Sequence, residues 1–328
     1  MSVALVTGAT GFVGGHVAAD LLAHGWTVRA LVRPESMGSG RMPAGCAPVP
    51  GDLLDAAAVR AAAGGVDAVF HVAARYSLAR ARAEEVYRTN TEGTANVLRA
   101  AADVGAPAVH CSSVATIGLP AGGGPGDEDT PLPASQVIGA YKRSKVASER
   151  LALEAAARGQ HVVVVNPTAP VGPGDHVPTP TGRIITDFLA GRMPAYVDTG
   201  LNLVDVRDVA AGHRLALERG TSGRRYILGN QNMTLRQILH TLAALSGRRA
   251  PRLRIPHAVA IAAAAVDETV EGKLLGREPL APLDGALMAR KRMWVDGSRA
   301  VRELGLPQSP VRDALADAIA WARGRAAA

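Results

Sequence analysis

Short runs of consecutive apolar residues alternate along the first half of the chain with longer stretches whose apolar positions recur every three or four residues. The apolar runs predict strands over residues 3–7, 27–32, 47–50, 68–72, 108–112 and 162–166. The periodic stretches predict helices over 12–24, 56–63, 84–104 and 138–158. Strands alternating with helices of these lengths indicate βαβ units around a parallel sheet. The unbroken run Val162-Val163-Val164-Val165 fits a strand covered on both faces. Right-handed crossovers then make a doubly wound parallel sheet of the Rossmann type the expected α/β fold.

After Asn166 the texture changes. Residues 167–180 carry five prolines and read as a functional loop. Beyond it the pattern predicts a helix near 184–190 and strands near 203–206 and 225–228. Further helices are predicted over 235–246, 258–275 and 309–323. The expected organisation is a dinucleotide-binding domain over 1–170, to which 201–230 returns, and a smaller α-rich substrate-binding lid from 171–200 and 231–328.

Composition sets bounds on this picture. The 328 residues are 48% hydrophobic and 20% charged, enough for one large or two intimate packed domains. The net charge of +7 raises the question of an acidic partner. Yet only four of the 36 basic residues are lysines, a skew that resembles genomic base composition. The basic residues are dispersed, with short clusters at Arg248-Arg249 and Arg290-Lys291-Arg292 and no interleaved stacking aromatics, so nucleic acid is not an expected partner. Cys46 and Cys111 make neither a disulfide framework nor a metal motif, and no metal is expected. The chain opens directly on a strand pattern, and its apolar stretch 258–266 is too short to span a bilayer. A cytoplasmic protein with at most peripheral membrane contact is expected, with the helix 258–275 read as core.

Candidate chemistry begins at Thr7-Gly8-Ala9-Thr10-Gly11-Phe12-Val13-Gly14, between the first strand and first helix. Gly8 permits the tight turn, Gly11 lets backbone approach a pyrophosphate, and Gly14 allows close helix–strand packing. Thr10, Phe12 and Val13 complete the phosphate-side set at a helix N-terminus. After the second strand, Val32 stands where an NAD enzyme carries a carboxylate, and Arg33 follows it. A guanidinium fork suits a 2′-phosphate, so NADP(H) is favoured over NAD(H). Asp52 and Leu53 follow the third strand and Ala73-Ala74 the fourth, at the strand ends where such sheets bind ligands. Asp52 is placed to accept from the adenine amino group, and His71 reads as a packed histidine.

Tyr141 and Lys145 stand four residues apart on one helix face. An ammonium beside a phenol lowers its pKa toward the working range. Ser112-Ser113 ends the fifth strand, where hydroxyls can reach the same crevice. Ser113 would hold a substrate oxygen while Tyr141 gives or takes its proton.

These pieces, in this order, resemble the extended short-chain dehydrogenase/reductase family over essentially the full chain. The matching residues are Thr7 to Gly14, Asp52, Ala73-Ala74, Asn90, Ser112-Ser113, Tyr141 and Lys145, Asn166-Pro167 and the segment Val204-Asp205-Val206-Arg207-Asp208-Val209. The resemblance implies a catalytic set of Ser113, Tyr141 and Lys145, with Tyr141 as general acid/base and Lys145 on the nicotinamide ribose. It implies further cofactor contacts at Asn90, Ser112, Asn166, Pro167 and Thr168. Within the family, the stretches 112–116, 166–172, 178–185 and 193–204 are most similar to the bacterial hopanoid-associated sugar epimerase group; the plant-type dihydroflavonol and cinnamyl reductases look more distant. Extended members are often dimers through helices matching 84–104 and 138–158, which makes a homodimer an expectation.

Three functions follow from that resemblance. The leading one is hydride transfer between NADP(H) and a carbonyl or secondary alcohol, on a small-molecule or lipid-linked polyol such as a sugar-derived hopanoid side chain. The second is epimerisation through a transient keto intermediate with retained NAD(P), and the third a non-catalytic NADP-sensing protein. Dehydration is disfavoured because Val114-Ala115 stands where sugar dehydratases carry Asp-Glu. Leu201 stands where nucleotide-sugar enzymes place a diphosphate-clamping arginine. Substrate-side candidates are Tyr76, Val114, Ile138, Thr181 and Arg183, the last with a competing ion pair to Asp187.

Overall fold

The structure, a computed structural model, describes residues 1–77, 82–274 and 282–327. In chain order the first half contains β1 (Val3–Thr7), α1 (Phe12–Ala23), β2 (Thr27–Val32), β3 (Ala47–Pro50), α2 (Ala56–Ala63) and β4 (Ala68–His71). It continues with α3 (Ala83–Asp103), β5 (Ala108–Cys111), α4 (Gly139–Ala157) and β6 (Val162–Pro167). The second half adds β7 (Ala169–Val171), α5 (Pro180–Leu189), β8 (Ala195–Tyr196), β9 (Gly200–Asp205), α6 (Val206–Arg219), β10 (Arg225–Leu228) and β11 (Gln231–Thr234). It closes with α7 (Leu235–Ser246), β12 (Leu253–Arg254), α8 (His257–Asp267), α9 (Leu283–Met288) and α10 (Val311–Ala327).

Seven strands form one parallel sheet in the order β10-β6-β5-β4-β1-β2-β3. Chain order reverses between β1 and β4, which opens a crevice at their carboxyl ends. Alternate residues of each strand feed opposite faces: Ala4 and Val6 pack with Val17, Leu21, Val209 and Ala216 of α1 and α6. Leu5 packs instead with Val59, Val97, Ala101 and Ala152 of α2, α3 and α4. Helices on both faces explain why these strands read as continuous apolar runs.

A second core lies outside that sheet. β7 runs parallel to β9 and β11 antiparallel to it, in a three-stranded sheet. Ile185 and Phe188 of α5, Ile238 and Leu242 of α7, and Leu315 of α10 cover it.

Four expectations are corrected. Part of the proline-rich stretch is strand: β6 runs through Pro167, and Pro170 sits in β7, an edge strand where its missing N–H is tolerated. The segment after β9 turns into α6 before rejoining the sheet as β10. Asp205 caps that helix by accepting from the Arg207 N–H at 2.8 Å, and Val206, Val209, Ala210 and His213 are buried along one face. The helix expected over 258–275 is α8 followed by a wider helical turn over Glu268–Leu274, with Leu275 outside the described residues. It is not core: Ala264 is buried, but Val259 and Val266 are 53% and 63% exposed. A run of alanines presents too little side chain to anchor a helix in a packed layer. Among the described residues, no helix is long and apolar enough to cross a membrane.

Candidate active site

The glycine turn is interlocked with the neighbouring strand. Gly8 has φ +80°, a left-handed conformation, and its carbonyl accepts from the Gly11 N–H at 2.9 Å. A Cβ on Gly8 would lie 2.9 Å from the Ala73 backbone, and one on Gly14 only 2.1 Å from the Gly8 oxygen. Thr7 locks β1 to β4 beneath the turn, its hydroxyl accepting from the N–H groups of Val72 and Ala73 at 3.1 Å. His71 bridges Thr7 Oγ1 and Thr94 Oγ1, each at 2.9 Å. Burial, then the Lys145 charge, holds its imidazole neutral with a pKa of about 3. It packs, as the sequence indicates.

No side chain caps α1 at Gly11, and its first turn holds no acidic residue. Thr10, Phe12 and Val13 are half-buried around this end. A backbone cradle that admits no Cβ, facing an uncapped helix N-terminus, fits a dinucleotide diphosphate.

On the adenosine side, Arg33 is exposed and ion-pairs with Glu35 at 3.1 Å. Glu35 thus brings a carboxylate to the corner where Val32 supplies none. Asp52 Oδ1 accepts from the Leu54 N–H at 2.8 Å, which shapes its own turn. Leu53 packs against Gly93 of α3, where a Cβ would come within 2.9 Å of it. Ala74 is exposed beside half-buried Ala73. Asn90 is buried and fully engaged: it accepts from the Arg75 N–H at 2.7 Å and donates to the Arg75 oxygen at 3.0 Å and Ser144 Oγ at 2.9 Å. Its side chain thus fastens the loop after β4 to α3 and α4.

Tyr141 and Lys145 share a face of α4 above the end of β5. Burial pushes the Tyr141 hydroxyl up to about 12, and a hydrogen bond with the Ser113 side chain pulls in the opposite direction. Lys145 Nζ donates to the Cys111 oxygen at 2.8 Å, and burial holds the ammonium below the usual lysine range. The expectation that Lys145 brings the phenol toward neutrality is not met: desolvation dominates, and the ammonium is held on the β5 carbonyl. Ser112 is also corrected, since its hydroxyl turns away from the crevice and donates to Glu149 Oε2 at 2.5 Å. Asn166 is buried at the end of β6, its amide donating to Thr116 Oγ1 at 2.9 Å and Glu149 Oε2 at 2.7 Å. Pro167 is buried beside it, and Thr168 Oγ1 donates to the Leu228 oxygen at 3.3 Å.

Residues 4–229 match the NAD dependent epimerase/dehydratase family. The chain belongs to this family. It is therefore an enzyme of the extended short-chain dehydrogenase/reductase type, built to use a nicotinamide dinucleotide with a small-molecule substrate. It is 48% identical over 321 residues to a Synechocystis protein named as a dihydroflavonol 4-reductase, covering 96% of this chain and 93% of that one. It is 36% identical over 323 residues to sterol demethylase protein B of Methylococcus capsulatus, covering 98% of each. Among solved structures it is similar to gox2253, with 42% identity, 99% coverage of both chains and a TM-score of 0.87.

On the substrate side of this epimerase/dehydratase-family enzyme, the Tyr76 ring meets that of Tyr141 edge-on, with centroids 4.5 Å apart. Arg183, exposed on α5, acts electrostatically on Tyr76. Its expected partner Asp187 pairs instead with Arg192 at 2.6 Å. Val114 opens a short 3₁₀ turn over Val114–Thr116 and packs near Ile117, Ile227 and Val295. Ile138 is the N-cap residue of α4. Thr181 is buried at the start of α5 on the side of Ile185 and Phe188. The structure thus gathers Ser113, Tyr141, Lys145, Tyr76 and Arg183, whereas Thr181 packs within its helix.

Sequence reasoning missed three residues beneath the site. Glu149, Thr116 and Arg225 form a buried network under the Ser113 turn, with Arg225 Nη1 at 3.2 Å from Glu149 Oε1. The signal was present: Glu149 lies one turn beyond Lys145 and two beyond Tyr141, a carboxylate on the buried face of a helix.

Proposed function

We propose that the enzyme is an NADP(H)-dependent oxidoreductase that transfers hydride to or from a carbonyl or secondary alcohol, on a small-molecule or lipid-linked polyol such as a sugar-derived hopanoid side chain. The observation that carries this reading is the Ser113 side chain acting on the buried Tyr141 hydroxyl, while Glu149 is committed below to Ser112, Thr116, Asn166 and Arg225. Proton transfer then falls to the phenol, and apolar Val114-Ala115 offers no acid–base pair for eliminating water.

When bound, the nicotinamide supplies or accepts the hydride. In the reducing direction Tyr141 gives its proton to the carbonyl oxygen, and Ser113 donates a hydrogen bond to that oxygen. Lys145 supplies positive charge behind the phenol and a donor for the nicotinamide ribose. Cofactor contacts fall to the turn Gly8 to Gly14, to Arg33 for a 2′-phosphate, and to the loops at Asp52-Leu53, Ala73-Ala74 and Asn166 to Thr168. Residues 1–170 with 201–230 form the cofactor side of this proposal, and 171–200 with 231–328 the substrate side. The two apolar cores follow that division in part: Leu201 and Leu203 pack in the second core, and Ala300, Leu304 and Leu306 in the first. A homodimer through α3 and α4 belongs to the same proposal, supported by exposed Tyr87 on α3.

The names of two relatives, a dihydroflavonol reductase and a sterol demethylase component, favour reduction–oxidation on a polycyclic compound. Partly buried Leu201, packed against the second core, offers no charge to a sugar nucleotide. The test is NADPH consumption by purified enzyme with ketone or lactol substrates, beside measurement of nicotinamide retained through purification. Net consumption that is lost in Tyr141→Phe is expected. Tightly retained nicotinamide without net NADPH consumption would overturn the reductase reading and support epimerisation.

A further inference from the structure

Glu149 is 5% exposed, and its carboxylate gathers donors from four elements. Its Oε2 accepts from Ser112 Oγ at 2.5 Å, Thr116 Oγ1 at 2.7 Å and Asn166 Nδ2 at 2.7 Å. Its Oε1 pairs with Arg225 Nη1 of β10 at 3.2 Å. The residue caught between these anchors is Ser113. Its carbonyl accepts from Thr116 Oγ1 at 2.8 Å and Asn166 Nδ2 at 3.2 Å, while its hydroxyl faces Tyr141 and the Ala115 N–H. One carboxylate on α4 therefore fastens the turn bearing Ser113 to the helix bearing Tyr141 and Lys145.

The same carboxylate is a counter-charge. The Lys145 ammonium is 3% exposed, and a buried cation without an anion nearby is costly. Burial disfavours its protonated form, and against that act first Cys111 and then Glu149, one helical turn away. The Cys111 thiol also faces Lys145, and His71 and His110 pack behind as neutral imidazoles. Among the described groups in this layer, Glu149 supplies the negative charge.

We propose that Glu149 is a positioning residue for the reaction, holding Ser113 against Tyr141 and balancing the buried charge of Lys145. The proposal rests on the Tyr141-centred reading above and names a role outside its catalytic set.

The test compares wild type, Glu149→Gln and Glu149→Asp in turnover, pH profile and thermal melting, with Tyr141→Phe alongside. Glu149→Gln is expected to lower kcat roughly 10- to 100-fold with KM for NADPH nearly unchanged. It should also move the alkaline limb of the kcat profile down by about one pH unit, because Lys145 loses its anion. Glu149→Asp should return that limb toward wild type while recovering only part of kcat. A purely structural role predicts a lower melting temperature with the limb unmoved, and that result overturns the proposal. Tyrosinate absorbance of the cofactor-free protein gives a readout independent of turnover: the Tyr141 titration should broaden or shift in Glu149→Gln, and an unchanged curve counts against the role. If Glu149→Gln does not accumulate as folded protein, Thr116→Val removes one anchor without touching charge. It should lower kcat several-fold, and full kcat in that variant overturns the proposal. Full turnover in Tyr141→Phe would instead defeat the functional reading, which keeps the two failures distinct.

Discussion

The proposed preference for NADP(H) rests on Arg33, and the structure complicates its task. Its guanidinium already pairs with Glu35, so a 2′-phosphate has to displace that carboxylate. Both groups are more than half exposed, so the pair itself is weak. Arg33→Ser should weaken NADPH binding about 10- to 100-fold, the loss of a charge-assisted contact, and leave NADH little changed. Glu35→Gln should move the preference the other way, toward NADPH, by a few-fold. Fluorescence titration with both dinucleotides checks the pair of expectations, and equal effects on NADH would remove the 2′-phosphate from the argument. Gly14 gives a steric counterpart. A Cβ there would sit 2.1 Å from the Gly8 oxygen, so Gly14→Ala must open the turn or shift α1. It should cost about 1–3 kcal/mol of stability, measured by urea unfolding, and abolish dinucleotide binding. Residues whose identity alone carries chemistry, such as these glycines, Tyr141 and Lys145, were legible from the sequence. Side-chain direction was not: Ser112 turning inward, Lys145 resting on Cys111 and Glu35 reaching Arg33 all depend on packing that spacing does not encode.

At the scale of elements, α6 and α8 show where sequence pattern and burial part company. α6 went unpredicted between the strands expected near 203–206 and 225–228, although Asp205 is a ready N-cap before a helical apolar face. That carboxylate is 1% exposed, accepts from the Arg207 N–H and side chain, and shares Arg207 with Asp317 of α10 at 2.8 Å. Asp205→Ala should therefore cost about 2 kcal/mol in urea unfolding, whereas Asp205→Asn, which keeps the cap, should recover much of it. α8 is the converse case, an apolar sequence on the surface. Val266→Lys should change stability by less than about 0.5 kcal/mol, while Ala264→Asp, which buries an unpaired charge, should cost several-fold more. Equal destabilisation by both would restore α8 to the core. The strands of the parallel sheet were readable because both of their faces are buried, and that leaves an unmistakable run of apolar residues. The short strands β7, β8, β11 and β12 were not, since two to four residues pairing at an edge carry little periodicity.

Across the whole molecule, the buried histidines couple stability to pH in one direction. His71 on β4, His110 on β5 and His213 on α6 are each at most 2% exposed. Burial holds all three imidazoles neutral, His71 at about 3, His213 at about 4 and His110 well below its usual range. The charge of Lys145 adds to the effect at His71 and His110. His110 is the extreme case, with neither ring nitrogen hydrogen-bonded among the described residues and its ring tilted against that of His71, centroids 5.4 Å apart. In the unfolded chain each imidazole protonates near pH 6.5. Between that value and about 4 the unfolded chain binds more protons than the native one, so stability falls as pH falls through this window and is flat above it. At pH 5 the loss is on the order of 2 kcal/mol each for His71 and His213, a large share of a typical domain's margin. Glu128 and Asp175, whose carboxyls burial pushes up, oppose the trend only nearer their own range. Urea unfolding at pH 7.5 and pH 5.0 should show the drop, and His213→Leu should reduce it by roughly a third while lowering stability at neutral pH. The same unfolding free energy at both pH values would mean that these rings gain protons inside the fold. The neutral layer behind Lys145 would then become charged, and the enzyme's acid limit would be set at the site instead of by unfolding.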